Sequence, residues 1–318
     1  MSGRTRTVVT VVGALAVVVV LAVVLEGKGA QFRAALHAAP LWTLGLAAGL
    51  QLVALVARTE AWHVCVHAAG ATVARRRLYR ASSSGGLAVL VNSQLGVAAR
   101  IAVLRRANPD DSPHVPAMIA AEVPILATEG ALAAIASFTL VGPLNLPWWL
   151  PLIAFAVMAA ITVGLCRVAR KRRHGLWAGL AILRTLNGRN RVIAFVLIGT
   201  FAQIARNWLV LRATGTPVSL LDSIAVLIAM VSISQLPVGP SVGAAATVLI
   251  LGTHGVATVA AAGVLLTVTG TIGGLCFAAW GLGDWLHGEP HPKLAAAFTR
   301  ARVWLWPPVP STAPVPGP

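Results

Sequence analysis

Two glutamates inside an apolar run are the acidic residues best placed to do chemistry within a membrane. Glu122 and Glu129 fall within residues 116–141, and a seven-residue spacing puts them on one helix face about two turns apart. Ionisable groups at that depth seldom face lipid and mark a polar pathway or a buried pair. Arg206 is the predicted counter-ion, with Arg58 its counterpart earlier in the chain. A purely structural ion pair that locks the fold is the alternative.

Two polar, glycine-containing interruptions of hydrophobic runs are the second candidate. Both contain Ser-Gln-Leu, at residues 93–95 and 234–236. A broken membrane helix exposes unpaired backbone N–H groups, and the N-terminus of the following half-helix favours an anion. Residues 94–100 and 235–244 are therefore predicted to form an anion site. The alternative is that their glycines and prolines only permit close helix packing.

Other catalytic or metal-binding patterns are weak. His63 and His67 stand four residues apart, but no third ligand lies near them in the sequence and the His-Glu-x-x-His pattern is missing. Motifs for a serine nucleophile, a phosphate-binding loop or an aspartate-rich diphosphate site are also missing from the sequence. We therefore expect no metal, no cofactor and no enzyme activity.

The composition places these residues in a bilayer. The 318 residues are 57% hydrophobic and 11% charged, which is too little polar surface to coat a soluble globule. The net charge is +16, and its basic residues cluster in short segments between apolar runs, a distribution that places those segments in the cytoplasm. Nucleic acid is therefore not expected as a partner, whereas anionic head groups of the inner leaflet are.

A sequence echo divides the chain into two copies. Patterns at residues 57–62, 70–73 and 93–95 return about 145 residues later, at 205–208, 215–218 and 234–236. Such echoes are typical of duplicated membrane folds. The prediction is an all-α polytopic membrane protein with about six full transmembrane helices plus two re-entrant broken helices, arranged as an inverted internal repeat. If both interruptions cross fully, the count becomes eight.

The predicted organisation has five parts. They are an N-terminal transmembrane helix and outer loop (1–39), a first repeat with a linking helix (40–166), a basic cytoplasmic loop (167–191), a second repeat (192–290), and an interfacial, proline-rich cytoplasmic tail (291–318). The six crossings are 8–25, 40–67, 116–141, 148–166, 192–211 and 256–286. A cleaved signal peptide is the alternative for the first of these. Both termini are expected in the cytoplasm, with the protein in the cell membrane.

The motifs resemble the transmembrane region of lysylphosphatidylglycerol synthases and their free-standing flippase-like relatives, over residues 40–286. Residues 92–100 read Asn-Ser-Gln-Leu-Gly-Val-Ala-Ala-Arg, Arg105-Arg106 and Ala121-Glu122 follow, and residues 236–243 read Leu-Pro-Val-Gly-Pro-Ser-Val-Gly before a long alanine-rich run. The chain looks like a divergent member, which departs from the family pattern at Asn92, Gln94, Val97, Val123 and Ala246.

The resemblance implies an inner-membrane protein that moves or accommodates a lipid. The expected function is flippase-like translocation of a lipid or lipid-linked molecule with an anionic head group. The alternative is a non-transporting membrane subunit that docks or presents lipid to a partner enzyme of lipid or cell-envelope synthesis. The breaks, the membrane charges and the resemblance together give the predicted substrate-binding residues: Gln94, Gly96, Arg100, Glu122, Glu129, Arg206, Gln235, Pro237, Gly239 and Gly243.

Overall fold

The computed structural model describes residues 27–70, 73–91, 93–107, 115–171, 175–234 and 242–288, and every regular element within these ranges is a helix. The α-helices are α1 (Gly29–Ala38), α2 (Leu41–Ala68), α3 (Arg75–Val91), α4 (Ser93–Ala107), α5 (Val115–Ala120), α6 (Val123–Ala136), α7 (Trp149–Lys171), α8 (Leu186–Ala213), α9 (Leu220–Ser234), α10 (Val242–Leu251) and α11 (Val256–Gly288). Within the same ranges, 3₁₀ segments lie at Ser137–Leu140, Gly175–Arg184 and Gly252–His254.

Five helical stretches are long and apolar enough to cross a bilayer. They are Leu41–Ala68, Val115–Leu140, Trp149–Lys171, Leu186–Ala213 and Val256–His287. They agree with five of the six predicted crossings, so the protein is a multi-pass membrane protein whose described part is all-helical. The sixth predicted crossing, residues 8–25, and the predicted tail, 291–318, lie outside the described residues.

The two segments that echo each other in sequence adopt the same local structure. Helices α2 and α8 each have 28 residues. Two residues after each helix comes a glycine with positive φ, +97° at Gly70 and +79° at Gly215. Glycine suits this position because a left-handed backbone carries no Cβ penalty there. Buried Val73 and Val218 then lead into α3 and α9.

The centre of the molecule is formed by α2, α8 and α11. Helices α2 and α8 run antiparallel, since Gly199 packs against Ala54 while Arg206, further along α8, reaches back to Gln51. Helix α11 approaches this pair through glycine. A Cβ added to Gly273 would lie 2.8 Å from the Gln51 side chain. Small residues at such contacts let membrane helices pack closely.

The first helical hairpin joins α3 and α4. These helices fold back on each other, and a Cβ on Gly85 would lie 2.8 Å from the carbonyl oxygen of Gly96. On its other side, α3 packs against the C-terminal half of α11, where Gly281 meets Ser83. The polar, glycine-containing residues 82–86 lie within continuous helix. Helix α3 ends at Val91, and α4 begins at Ser93.

A second pair of short apolar helices, α9 and α10, lies toward the other end of α11. Helix α10 packs against the N-terminal half of α11, where Gly243 meets Gly263 and Thr267. The residues between α9 and α10, 235–241, lie outside the described residues. The two helix pairs are therefore held by opposite ends of one long central helix.

Two segments expected as loops are helical where the structure describes them. Residues 29–38, placed in an outer loop, form α1, which packs on α11. Within the basic segment 167–191, Gly175–Arg184 forms a 3₁₀ segment that buries Leu180 and Ile182. Gly179 sits directly against the Ala117 carbonyl of α5. Apolar residues between the arginines drive this packing, since burying them removes hydrocarbon from water.

Candidate functional site

Glu122 is held at a discontinuity between α5 and α6. Helix α5 ends at Ala120, and α6 begins at Val123 with Pro124 in its first turn. Proline lacks an N–H group, so it suits a helix start and interrupts the bonding of a continuous helix. The break leaves the Glu122 side chain pointing inward, where only 4% of it is exposed.

Arg100 of α4 neutralises Glu122. Its guanidinium donates through Nη2 to Glu122 Oε1, and 8% of the Arg100 side chain is exposed. The same guanidinium lies over the Trp62 ring of α2, with its carbon 4.2 Å from the ring centroid. A buried charge is costly unless it is paired, and a cation over an indole face gains further attraction. The contacts of Arg100 with Glu122 and Trp62 therefore hold the first hairpin against α2 and against the α5–α6 break.

Glu129 has a different arginine as its partner. Arg58 Nη1 donates to Glu129 Oε1, and both side chains are partly exposed, by 40% and 34%. The two predicted acids are thus each paired within the first half of the chain, and the four charges sum to zero. The predicted pairing of these glutamates with Arg206 is wrong, because Arg58 and Arg100 occupy both carboxylates.

Arg206 lies apart from these pairs, buried where α2, α8 and α11 meet. Only 4% of the residue is exposed, and its Nη1 donates to the Gln51 Oε1 atom. Gly270 of α11 provides the space, since a Cβ there would lie 3.2 Å from Arg206 Nη1. No described residue forms an ion pair with Arg206. An amide dipole offsets a buried guanidinium less than a carboxylate does, so this point of the core carries excess positive charge.

Arg206 and the next residue, Asn207, both have unpaired buried polar atoms. Its Nε and both side-chain polar atoms of Asn207 are buried and have no hydrogen-bond partner among the described residues. Buried polar groups in native proteins are nearly always satisfied. An anion that also accepts hydrogen bonds would satisfy the Nε donor of Arg206, and it would neutralise the charge.

A separate set of ion pairs lies where α2 ends and α3 begins, which we call the basic end of the helix bundle because Arg75, Arg76 and Arg80 lie there. Glu60 accepts from Arg75 at 2.6 and 2.7 Å and from the Tyr79 hydroxyl. Burial of the phenol, with the adjacent Glu60 carboxylate, raises the pKa of Tyr79 to about 12. The hydrogen bond to Glu60 also raises the pKa of the exposed Arg75. On α11, Asp284 accepts from Arg80 at 2.6 Å.

The remaining predicted site residues divide into two groups. Gly243 packs closely against Gly263, and the Gly96 carbonyl lies against Gly85, which matches the alternative that such residues serve helix contact. The backbone of Gln94 belongs to α4, but its side chain lies outside what the structure describes, and the three others do so entirely: Gln235, Pro237 and Gly239.

Sequence reasoning missed Gln51 as the partner of Arg206, and it missed the buried, unpaired amide of Asn207. A detectable signal existed for both, since each is an uncharged amide inside a predicted crossing, and Asn207 directly follows Arg206. It also missed Trp62 as the surface beneath Arg100. Within the described residues no three His, Cys, Asp or Glu side chains are grouped as metal ligands.

Comparisons with known proteins identify no relative: no family model, no curated protein and no solved structure matches the chain. The resemblance to lysylphosphatidylglycerol synthases stays a prediction that depends on the residues quoted for it.

Proposed function

We propose that this protein moves an amphiphile with an anionic head group across the membrane, and that Arg206 accepts the head group. The observation that carries the proposal is the buried guanidinium of Arg206, which has an amide and no carboxylate as its described partner. A charge near the centre of a lone membrane helix costs about 2.5–3.5 kcal/mol. In a transporter, an anionic substrate can neutralise the Arg206 charge for as long as it is bound. A carboxylate permanently paired with Arg206 would compete with that substrate.

The position of Arg206 suits a site halfway along a transport path. Its contact with α11, at Gly270, lies between the α10 contact at Gly263 and the α3 contact at Gly281. In the proposed arrangement the two helix pairs are re-entrant and approach from opposite faces as halves of an inverted repeat. The matching 28-residue helices α2 and α8, each followed by a positive-φ glycine, support that arrangement. The head group passes between the pairs while its tails stay in lipid.

The glutamate–arginine pairs hold together the helices beside the proposed path and do not bind the substrate. Arg100 and Arg58 are each matched by a carboxylate, so they offer little net attraction to an anion. Their pairing fixes α4 and α6 against α2. This assigns Glu122, Glu129 and Arg100 a positioning role and leaves Arg206 as the head-group contact.

Lipid exchange in reconstituted vesicles tests the proposal. Vesicles carrying the full chain and a fluorescent phosphatidylglycerol are treated with an impermeant quencher, which bleaches only outer-leaflet label. Wild type should allow bleaching of inner-leaflet label, whereas Arg206→Gln should approach protein-free vesicles. Arg212→Gln is the matched control, since it removes one charge from the exposed end of the same helix.

Two outcomes would overturn the proposal. Wild-type exchange no faster than in protein-free vesicles would exclude transport under these conditions and would favour the lipid-docking subunit. Equal exchange by Arg206→Gln and wild type would remove Arg206 from the path. Fluorescent phosphatidylcholine is zwitterionic. Exchange of this lipid as fast as that of phosphatidylglycerol would show that transport does not require an anionic head group.

A further inference from the structure

A cavity of about 770 Å³ opens at the basic end of the bundle, between the C-terminal part of α2 and the start of α8. Its wall reaches Phe195 on α8, eleven residues before Arg206 and therefore about three helical turns from it. The cavity is thus separate from the site around Arg206, which does not belong to its lining.

The polar part of the lining carries an excess of positive charge. Glu60 is its acidic residue, and Arg75 already binds that carboxylate through two nitrogens. Arg191 also lines the cavity, and no described residue forms an ion pair with it. His63 and His67 add ring nitrogens, with ring centroids 5.4 Å apart. The lining therefore has one net positive charge when both histidines are neutral.

The start of α8 strengthens this preference for an anion. Thr185 caps the helix by accepting from the Gly188 N–H, and Thr185, Asn187 and Gly188 all line the cavity. The aligned peptide dipoles of a long helix place partial positive charge at this end. Arg191, one turn further along the helix, faces the same space, so side chain and backbone attract the same group.

The rest of the lining is hydrocarbon. Val64, Ala68, Ile182 and Phe195 contribute apolar walls. A free inorganic anion would gain nothing from these walls, whereas a molecule that joins an anionic group to an alkyl chain would bury apolar surface against them.

We propose that this cavity binds the phosphate group of an anionic amphiphile at the basic end of the protein, before the head group reaches Arg206. Arg191 forms two parallel hydrogen bonds to phosphate oxygens, a geometry that suits guanidinium and phosphate. The Asn187 amide is a further donor, and the apolar walls hold the first part of the chain. This inference rests on the proposed function, since it describes the loading site of the same substrate.

Ligand-induced stabilisation of the full chain in maltoside micelles tests the proposal. The probe is dodecyl phosphate, and the readout is its half-saturating concentration from the shift in thermal unfolding. Arg191→Gln should raise that concentration about tenfold, the effect of losing one charge-assisted contact. Arg189→Gln is the matched control: it removes the same charge two residues earlier on α8, outside the cavity lining, and should leave the concentration unchanged.

Two further probes decide the ligand class and the independence of the site. Inorganic phosphate should give no comparable stabilisation, and equal stabilisation by it would overturn the assignment to an amphiphile. In an Arg206→Gln background, Arg191→Gln should still weaken dodecyl phosphate binding, and loss of that dependence on Arg191 would overturn the separate site. Equal weakening by Arg191→Gln and Arg189→Gln would also overturn the proposal, because it would indicate general surface attraction.

The two proposals fail in different ways. If wild-type vesicles exchange no lipid while Arg191-dependent binding persists, transport is refuted and the cavity assignment stands. If lipid exchange depends on Arg206 but dodecyl phosphate binds without regard to Arg191, the loading site is refuted and transport stands.

Discussion

Removal of one partner from the Arg100–Glu122 pair should destabilise the protein far more than the same change in the Arg58–Glu129 pair. In the first pair the side chains are 8% and 4% exposed, so a lone Arg100 in Glu122→Gln would be a buried, uncompensated charge. Breaking a buried pair in this way typically costs about 3–5 kcal/mol. In the second pair the side chains are 40% and 34% exposed. Ionisable groups at membrane depth face a polar cavity more often than lipid, and water in such a cavity would replace the lost partner, which limits the cost to about 1 kcal/mol.

Double-mutant cycles separate pairing from other effects of each substitution. The cycles combine Glu122→Gln with Arg100→Gln, and Glu129→Gln with Arg58→Gln. The free energy of unfolding is measured in mixed micelles with increasing dodecyl sulfate, followed by the fluorescence of the ten tryptophans. The first double mutant should regain a large part of the loss, with a coupling of about 2 kcal/mol or more, since removing both charges removes the unpaired one.

Two results would contradict this reasoning. Coupling free energies of equal size in the two cycles would show that burial does not determine how strongly each pair stabilises the protein. A coupling of Glu122 with Arg206 that exceeded its coupling with Arg100 would show that the functional protein uses a different set of partners. Arg206→Gln alone should not be rescued by either glutamate substitution, because Arg206 contacts Gln51.

Three further predictions follow from the contacts and the topology. Tyr79 is the single tyrosine, so its phenolate absorbance should titrate near pH 12, and the midpoint should be lower in Glu60→Gln. The pKa of Tyr79 in the folded protein lies above the ordinary value of about 10. Its contribution to stability is therefore complete below about pH 10 and is lost as the pH rises towards 12. Gly273→Ala should lower the thermal unfolding temperature, since its Cβ would lie 2.8 Å from a glutamine side chain of α2, whereas Gly274→Ala meets no atom within 4 Å and should leave it unchanged or raise it. Fusion reporters placed at Asn145 and at the C-terminus should report opposite sides of the membrane, and the same answer from both would contradict the predicted crossing count.

The sequence sufficed to locate most helices because a bilayer constrains the chain locally. A crossing needs about 20 apolar residues in succession, and that run is visible without any knowledge of neighbours. The predicted crossing at residues 192–211 lies within Leu186–Ala213, and the one at 256–286 lies within Val256–Gly288. The first predicted interruption, at residues 93–95, falls at the start of α4, and the second, at 234–236, extends beyond the described residues.

The sequence could not assign partners to the charges. The seven-residue spacing placed Glu122 and Glu129 on one side, but it gave no distance to any arginine on another helix. Arg206 reaches Gln51 across 155 residues of chain, and Arg80 reaches Asp284 across 204. Such pairs depend on how helices rotate and approach each other, which glycines such as Gly273 permit and which no local pattern encodes.

The amino-acid sequence by itself therefore determined the membrane environment, the helical class and the approximate limits of the crossings, because hydrophobic length and backbone bonding act within one segment. For Arg58, Arg100 and Arg206, the tertiary structure decided which charges are paired and which are not. Arg58 and Arg100 are neutralised by glutamates, and Arg206 is left buried with Gln51. The reason is physical: the free energy of a buried charge depends on its nearest partner in space, and that partner is set only when separate helices pack together.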